Sequence, residues 1–215
     1  MSNITYDYME DYIRRLIKNE DDFLEKLEEF AKENSVPIIH KEVGRFLEVL
    51  INIKKPKKIL ELGTAIGYSA ILMENASLGK SSITTIERDK DMVSLASENI
   101  KKSGYEGKIN IIEGDCLELL SKIDEKFDLI FMDAGKGHYN HFFPECLRLL
   151  KDDGIIIGDN VLFRGMVAND SLVKRRKITI VKRMREFLDM VSEDEFLTSI
   201  IPMGDGIALI TRRNK

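Results

Sequence analysis

The stretch from Lys57 to Ser69, K-K-I-L-E-L-G-T-A-I-G-Y-S, constrains the fold more than any other part of the chain. A short apolar run, Ile59-Leu60-Glu61-Leu62, is opened by two lysines and broken by Gly63 and Gly67; a helical pattern follows from Ser69 to Glu74. That order predicts strand, glycine turn, helix. Glycine at both positions lets the backbone bend sharply and approach a ligand closely, and the first turn of the next helix offers unpaired N–H groups to it. The spacing Gly-x-x-x-Gly is one glycine short of the dinucleotide fingerprint. Glu87 follows 20 residues after Gly67, at the end of a second apolar run, Ile83-Thr84-Thr85-Ile86. An acidic side chain there can accept both hydroxyls of a ribose. The turn alone also fits an ordinary strand-to-helix connection; joined to Glu87, it points to a nucleoside cofactor.

A chain of 215 residues suits one α/β domain, expected here over 1–215, with a helical part at 1–55 and the core at 56–215. The formal net charge of −4 argues against a coat of basic residues for nucleic acid, though not against a local patch. Cys116 and Cys146 lack metal-ligand spacing and read as reduced thiols of a cytoplasmic protein. No apolar run approaches the ~18 residues of a membrane span, and the N-terminus lacks the basic and apolar regions of a signal peptide.

Residues 3 to 53 carry helical periodicity. Phe23, Leu24, Leu27, Phe30 and Ala31 share one face, Val36-Pro37-Ile38-Ile39 reads as an extended link, and a third helix runs from Lys41 to Asn52. From Lys57 onward strands and helices alternate. Strands are expected at 58–62, 82–86, 108–112, 127–132, 154–158, 198–203 and 206–211, with helices near 67–78, 90–103, 115–121, 138–150 and 174–192. Alternation of this kind predicts a Rossmann-like, mostly parallel seven-stranded sheet with helices on both faces and its ligand site at the carboxyl ends of the strands. Gly204-Asp205 reads as a tight hairpin turn, so the last strand should run against the others.

Polar residues cluster where the strands end. Glu61-Leu62-Gly63 closes the first strand and Glu87 the second. Asp115, after the third, is placed either to accept from an adenine amino group or to cap the next helix. The fourth strand ends at Asp133, followed by Ala134-Gly135-Lys136-Gly137-His138-Tyr139, and the fifth at Asp159-Asn160. Adjacent parallel strands lie ~4.8 Å apart, so Asp133, Asp159 and Asn160 can converge as two carboxylates and an amide carbonyl. That all-oxygen set suits Mg²⁺, Mn²⁺ or Ca²⁺ and suits zinc poorly. The competing reading makes Asp159-Asn160 a turn cap and pairs Asp133 with Lys136. His138 and His141 are three apart, with no third nitrogen or sulfur ligand beside them.

E-L-G-T-A-I-G-Y-S with Glu87, Gly114-Asp115, M-D-A-G-K-G-H-Y and G-D-N-V-L resembles the cation-dependent class I O-methyltransferases that include catechol and caffeoyl-CoA methyltransferases. V-P-I-I, N-V-L-F-R-G-M-V-A, the basic K-R-R-K and I-P-M-G-D-G-I-A look like the bacterial branch that methylates 5-hydroxyuridine at the tRNA wobble position. The likeness covers nearly the whole chain. It implies S-adenosylmethionine contacts from Ile39, Gly63, Ser69, Glu87, Asp115, Cys116 and Asp133, and a Mg²⁺ or Mn²⁺ ion on Asp133, Asp159 and Asn160. Lys136 matches a catalytic lysine of the catechol enzymes and acts with Asp133. Those enzymes carry His-Trp where this chain has Ala134-Gly135, which implies a different and more open wall around the acceptor.

A cation that binds the acceptor hydroxyl and a neighbouring oxygen fixes the in-line geometry and lowers the hydroxyl's pKa. The C5 hydroxyl and C4 carbonyl of 5-hydroxyuridine chelate in this way, as does a catechol. Lys136 fits two roles, removing the proton or steadying the oxyanion. Lys174-Arg175-Arg176-Lys177, with Lys182, Arg183 and Arg185, is the one dense basic region; at helical spacing Lys174, Lys177 and Arg185 share a side. With Arg164 these residues are expected either to face solvent or to hold the phosphates of a tRNA anticodon arm. A small phenolic or coenzyme A-linked acceptor is the alternative partner. A nucleotide-dependent oxidoreductase leaves Asp159-Asn160 without a use, and a noncatalytic RNA-binding module leaves the acidic set without one. The N-terminal helices and Phe142-Phe143, read as exposed, leave room for a homodimer.

Overall fold

The computed structural model describes residues 4–18 and 21–213; the readings that touch residues 1–3, including the signal-peptide reading and the start of the helical pattern at Asn3, lie outside the described residues. In chain order the elements are α1 (Asp7–Leu16), α2 (Asp22–Glu33), α3 (Lys41–Lys54), β1 (Lys58–Leu62), α4 (Tyr68–Ala76), β2 (Ser82–Glu87), α5 (Lys90–Lys102), β3 (Ile109–Glu113), α6 (Cys116–Leu119), β4 (Phe127–Met132), α7 (Tyr139–Leu149), β5 (Leu150–Gly158), α8 (Ile178–Val191), β6 (Phe196–Ile201) and β7 (Ile207–Arg212). The seven strands belong to one mixed sheet. The chain forms two compact units, Tyr12–Cys116 and Leu117–Lys215 with Met1–Asp11.

The unit Tyr12–Cys116 carries three strands in the order β3-β2-β1, all parallel. Their register sets Leu62 beside Ile86 and Glu87 beside Glu113, so the acidic residues fall at the carboxyl ends. The Asp21 carboxylate caps α2 by accepting from Phe23 N at 2.8 Å and Leu24 N at 3.1 Å. The apolar face of α2 buries Leu24, Leu27 and Ala31. Residues 36–39, where the sequence predicts an extended link, carry no helix or strand and join α2 to α3; the last of them, Ile39, is buried.

The second unit carries β4-β5-β7-β6. β4 and β5 are parallel, while β7 pairs antiparallel with both β5 and β6, so the last strand does run against its neighbours. Tyr139, Phe143, Phe187 and Phe196 meet edge-to-face, with ring centroids 5.2 to 5.6 Å apart. Phe142 and Phe143 are therefore core residues, 3% and 1% exposed, and offer no surface to a second subunit. The exposed apolar side chains include Tyr6, Tyr8, Tyr12 and Leu16 on and just before α1.

Several boundaries differ from the sequence expectation. β5 starts at Leu150, because Leu150 pairs with Phe127 ahead of a register shift that precedes Leu129–Ile155. β6 ends at Ile201 because Pro202 has no N–H to give the ladder, and Ile201 pairs with Ile207 across a five-residue connection, not a two-residue turn. The helix expected from 174 starts at Ile178, after a single 3-10 turn at Arg175–Lys177. The one expected near 115–121 is a four-residue helix continued by a 3-10 turn. Among the described residues no helix is long and apolar enough to cross a membrane.

Candidate active site

The glycine turn forms as its sequence predicts. Gly63, at φ 99°, donates its N–H to Ile86 O at 3.0 Å, and Gly67, at φ 85°, donates to Thr64 O at 2.8 Å. A Cβ on Gly67 would stand in ordinary contact with Ala96, 3.5 Å away, so it is the left-handed backbone that requires glycine. Glu87 is anchored by backbone: Oε2 accepts from Ala65 N at 3.0 Å, and Oε1 accepts from Arg88 N at 2.9 Å and Asp89 N at 3.0 Å. The carboxylate is thus held at the mouth of the turn, half-exposed, with a lone pair on Oε2 left for a hydroxyl donor. Asp115 follows Gly114, whose N–H donates to Glu87 O at 2.8 Å. Arg88 reaches the Asp115 carboxylate at 3.6 Å in an exposed pair that adds little stability. The Cys116 thiol is buried and pushed up to about 12, first by burial and then by the Asp115 and Glu87 charges; it stays protonated and is no nucleophile.

Ser69 is buried, and its hydroxyl donates to the Glu61 carboxylate at 2.5 Å. The other Glu61 oxygen accepts from Thr85 Oγ1 at 2.6 Å, and Thr85 Oγ1 lies 2.6 Å from Thr64 Oγ1 in the glycine turn. Glu61 is wholly buried. Burial lifts its carboxyl to about 7 and the Glu87 charge adds to the rise, against the two hydroxyl hydrogen bonds.

In the other unit, Met132 and Gly158 are partners in register, so Asp133 and Asp159 are the next residues on β4 and β5. Asp159 N donates to Met132 O at 2.9 Å. The buried Tyr139 hydroxyl lies 2.6 Å from Met132 O and 3.0 Å from Asp159 O. Asp159 is 1% exposed. Its carboxyl is raised well above the usual range, chiefly by burial and then by the Asp133 charge, with a smaller rise from Asp205; the Asn160 N–H and Lys136 pull the other way. Asn160 is buried and left-handed at φ 60°. Two mutually repelling carboxylates, one of them buried, beside an amide and an ammonium fit a divalent cation with oxygen ligands. Among the described residues no group of three or more His, Cys, Asp or Glu is placed to hold a metal, so the set depends on the Asn160 amide. The rings of His138 and His141 are 6.1 Å apart and tilted.

The basic segment differs from its expected form. Lys174 to Lys177 precede α8, so they do not share a helix side with Arg185. Arg185 is occupied by Asp170 at 2.6 Å and Val167 O at 2.9 Å, Arg183 by Gly137 O at 3.0 Å, and Lys182 faces Glu186 at 4.0 Å. Lys177 lies over the Phe163 ring, 5.7 Å from its centroid. Arg164, Lys174, Arg175 and Arg176 are exposed, and among the described residues none of the four is held in an ion pair.

The O-methyltransferase family model matches residues 15–213. The chain belongs to the O-methyltransferase family. A catechol O-methyltransferase of Niastella koreensis is 33% identical over 177 residues, 80% of either chain. A Staphylococcus aureus structure provisionally described as a caffeoyl-CoA O-methyltransferase superposes with TM-score 0.89 at 33% identity, covering 96% of this chain and 100% of that one. A Bacillus cereus O-methyltransferase, solved in complex with SAH, gives TM-score 0.83 at 26% identity over 98% of this chain and 100% of that one. The enzyme has the Rossmann-like fold of these methyltransferases. Three of its residues carry no role in the sequence reading: Glu61, Tyr139 and Asp205. Glu61 has a signal, a carboxylate inside an apolar strand; Tyr139 and Asp205 have none, because their partners Met132, Asp159 and Arg164 are set by tertiary structure.

Proposed function

We propose that this S-adenosylmethionine-dependent O-methyltransferase methylates the 5-hydroxyl of 5-hydroxyuridine at the tRNA wobble position, giving 5-methoxyuridine, with a Mg²⁺ or Mn²⁺ ion. The observation that carries the reading is the group of four exposed, unpaired cations, Arg164, Lys174, Arg175 and Arg176, which follows the metal residue Asn160 in the chain. Such cations suit a phosphate-bearing acceptor whose unstacked base enters a site.

Glu87 receives the ribose hydroxyls of the donor, the Gly63 and Gly67 backbone lets the donor come close, and Asp115 accepts from its adenine. Ile39, Ser69 and Cys116 complete that side, and Asp133 serves both donor and metal. Asp133, Asp159 and Asn160 would hold the divalent ion. Bound there, the ion supplies Lewis acidity that lowers a hydroxyl's pKa and fixes its oxygen. Lys136 takes the hydroxyl proton or, as a cation, steadies the oxyanion.

The names of the N. koreensis and S. aureus relatives favour a second reading, a small catechol or a caffeoyl-CoA-like thioester as acceptor. The phosphates of a thioester acceptor would use the same cations. The enzyme is further proposed to work as a homodimer in the cytoplasm, and a monomeric mass by light scattering would end the dimer reading. The acceptor test is transfer of labelled methyl to tRNA bearing 5-hydroxyuridine, with and without Mg²⁺, beside 3,4-dihydroxybenzoate. Mg²⁺-dependent label in the tRNA that is lost in Asp133→Ala supports the leading reading. Label in the phenol alone overturns it.

A further inference from the structure

Asn160 opens a turn whose backbone is left-handed at three non-glycine positions: Asn160 at φ 60°, Phe163 at 44° and Arg164 at 56°, followed by Gly165 at 76°. L-residues resist this conformation, so a run of this kind persists only where its surroundings hold it. Its internal bonds are two, Phe163 N to Asn160 O at 3.2 Å and Gly165 N to Leu162 O at 2.9 Å. Neighbouring chain adds Asn160 N to Asp159 Oδ1 at 2.6 Å and Met166 N to Phe163 O at 3.1 Å, and further support comes from the connection between β6 and β7. Val161 N donates to Gly206 O at 3.0 Å, and Leu162 N donates to Asp205 O at 3.0 Å. The Asp205 carboxylate then accepts from Arg164 N at 2.5 Å. Asp205 therefore grips the turn twice, once by its carbonyl and once by its side chain. Gly206, at φ 93°, leaves the space this approach needs: a Cβ there would stand 2.4 Å from Leu162 Cγ and 2.8 Å from Leu162 N.

We propose that Asp205 and Gly206 are positioning residues of the acceptor side, latching the strained turn so that Asn160 and Arg164 are presented in fixed orientation. The inference rests on the reading of Asn160 as a metal residue and Arg164 as an acceptor contact. It assigns Asp205 a hydrogen-bonding role that an amide oxygen also fills. The donor side is outside its reach, because every grip falls on residues 161–164.

The test compares the full-length wild type with Asp205→Ala, Asp205→Asn and Gly206→Ala. Hydrogen exchange is followed in the peptide covering 160–165, Mn²⁺ binding by electron paramagnetic resonance, and methyl transfer to the two acceptors named above. In Asp205→Ala the peptide exchanges faster and Mn²⁺ binds more weakly, while kcat/KM for the acceptor falls about tenfold, as expected for loss of a charge-assisted hydrogen bond. The KM for S-adenosylmethionine stays unchanged, Asp205→Asn restores most of each value, and Gly206→Ala resembles Asp205→Ala. The proposal is overturned if exchange and Mn²⁺ affinity in Asp205→Ala match the wild type, if donor and acceptor terms fall together, or if Asp205→Asn is as impaired as Asp205→Ala. A wild type that methylates neither acceptor refutes the functional reading alone, since exchange and Mn²⁺ binding still decide the latch.

Discussion

The Tyr139 hydroxyl oxygen lies 2.6 Å from the carbonyl oxygen of Met132, the residue before Asp133, inside a core where neither residue is exposed. The same hydroxyl is 3.0 Å from Asp159 O. One proton thus serves the ends of both strands that lead to Asp133 and Asp159. Removing it in Tyr139→Phe leaves a buried carbonyl short of a donor and costs about 1–2 kcal/mol. Urea unfolding reads that cost, and transfer should fall in kcat while the KM for the donor holds.

Glu61 makes stability depend on pH in a stated direction. Its carboxyl ionises near 4.5 in the unfolded chain and near 7 in the folded one, so the folded state binds the extra proton. The stabilisation is complete below pH 4.5 and is lost as pH rises through about 7. The shift is worth roughly 3 kcal/mol. Urea titrations from pH 5 to 8 should show the wild type weakening as pH rises and Glu61→Gln flattening that slope. A residual slope of the same sign should remain, because burial also lifts Glu74 to about 7.

Asp159→Asn separates the fold from the chemistry. The carboxyl is buried against the Asp133 charge, so without metal its ionised form works against folding. The amide is nearly isosteric and neutral. Calorimetry in EDTA should therefore give the variant a melting temperature at or above that of the wild type. Its methyl transfer should be lost, and Mg²⁺ should raise the melting temperature of the wild type only.

Arg175→Ala with Arg176→Ala removes two exposed, unpaired charges from a 3-10 turn that buries no residue. Folding should change by less than about 0.5 kcal/mol. If the acceptor is tRNA, its KM should rise and the salt dependence of binding should become shallower. Turnover of 3,4-dihydroxybenzoate should not change.

The features read correctly from sequence are those encoded locally. β1, β2 and β4 are apolar runs bounded by glycine or charge, and the turn at Gly63 and Gly67 is written in the two residues that tolerate its backbone. What escaped depends on distant partners. Leu150 extends β5 only because Phe127 lies beside it, and the hairpin expected at Gly204-Asp205 forms with a five-residue connection, shaped by the turn it grips, instead of a two-residue one. The basic run from Lys174 carries strong helix formers, yet Lys177 settles over Phe163 and the helix waits until Ile178. Candidate site residues are named from sequence where chemistry marks them, as at Glu87 and Asp159, and passed over where a hydroxyl or carboxylate acts on backbone, as at Tyr139 and Asp205.

The division at Cys116 has a bearing on how such enzymes diversify. Apart from Asp133, every residue proposed for the donor lies in Tyr12–Cys116, and every residue proposed for the acceptor lies after it. Under the proposed assignment, donor recognition, Asp133 apart, falls in one uninterrupted length of chain and substrate choice in another. Substitutions that retune the second need not pass through the first, which is the inheritance expected of a scaffold that keeps one methyl source while changing what receives it.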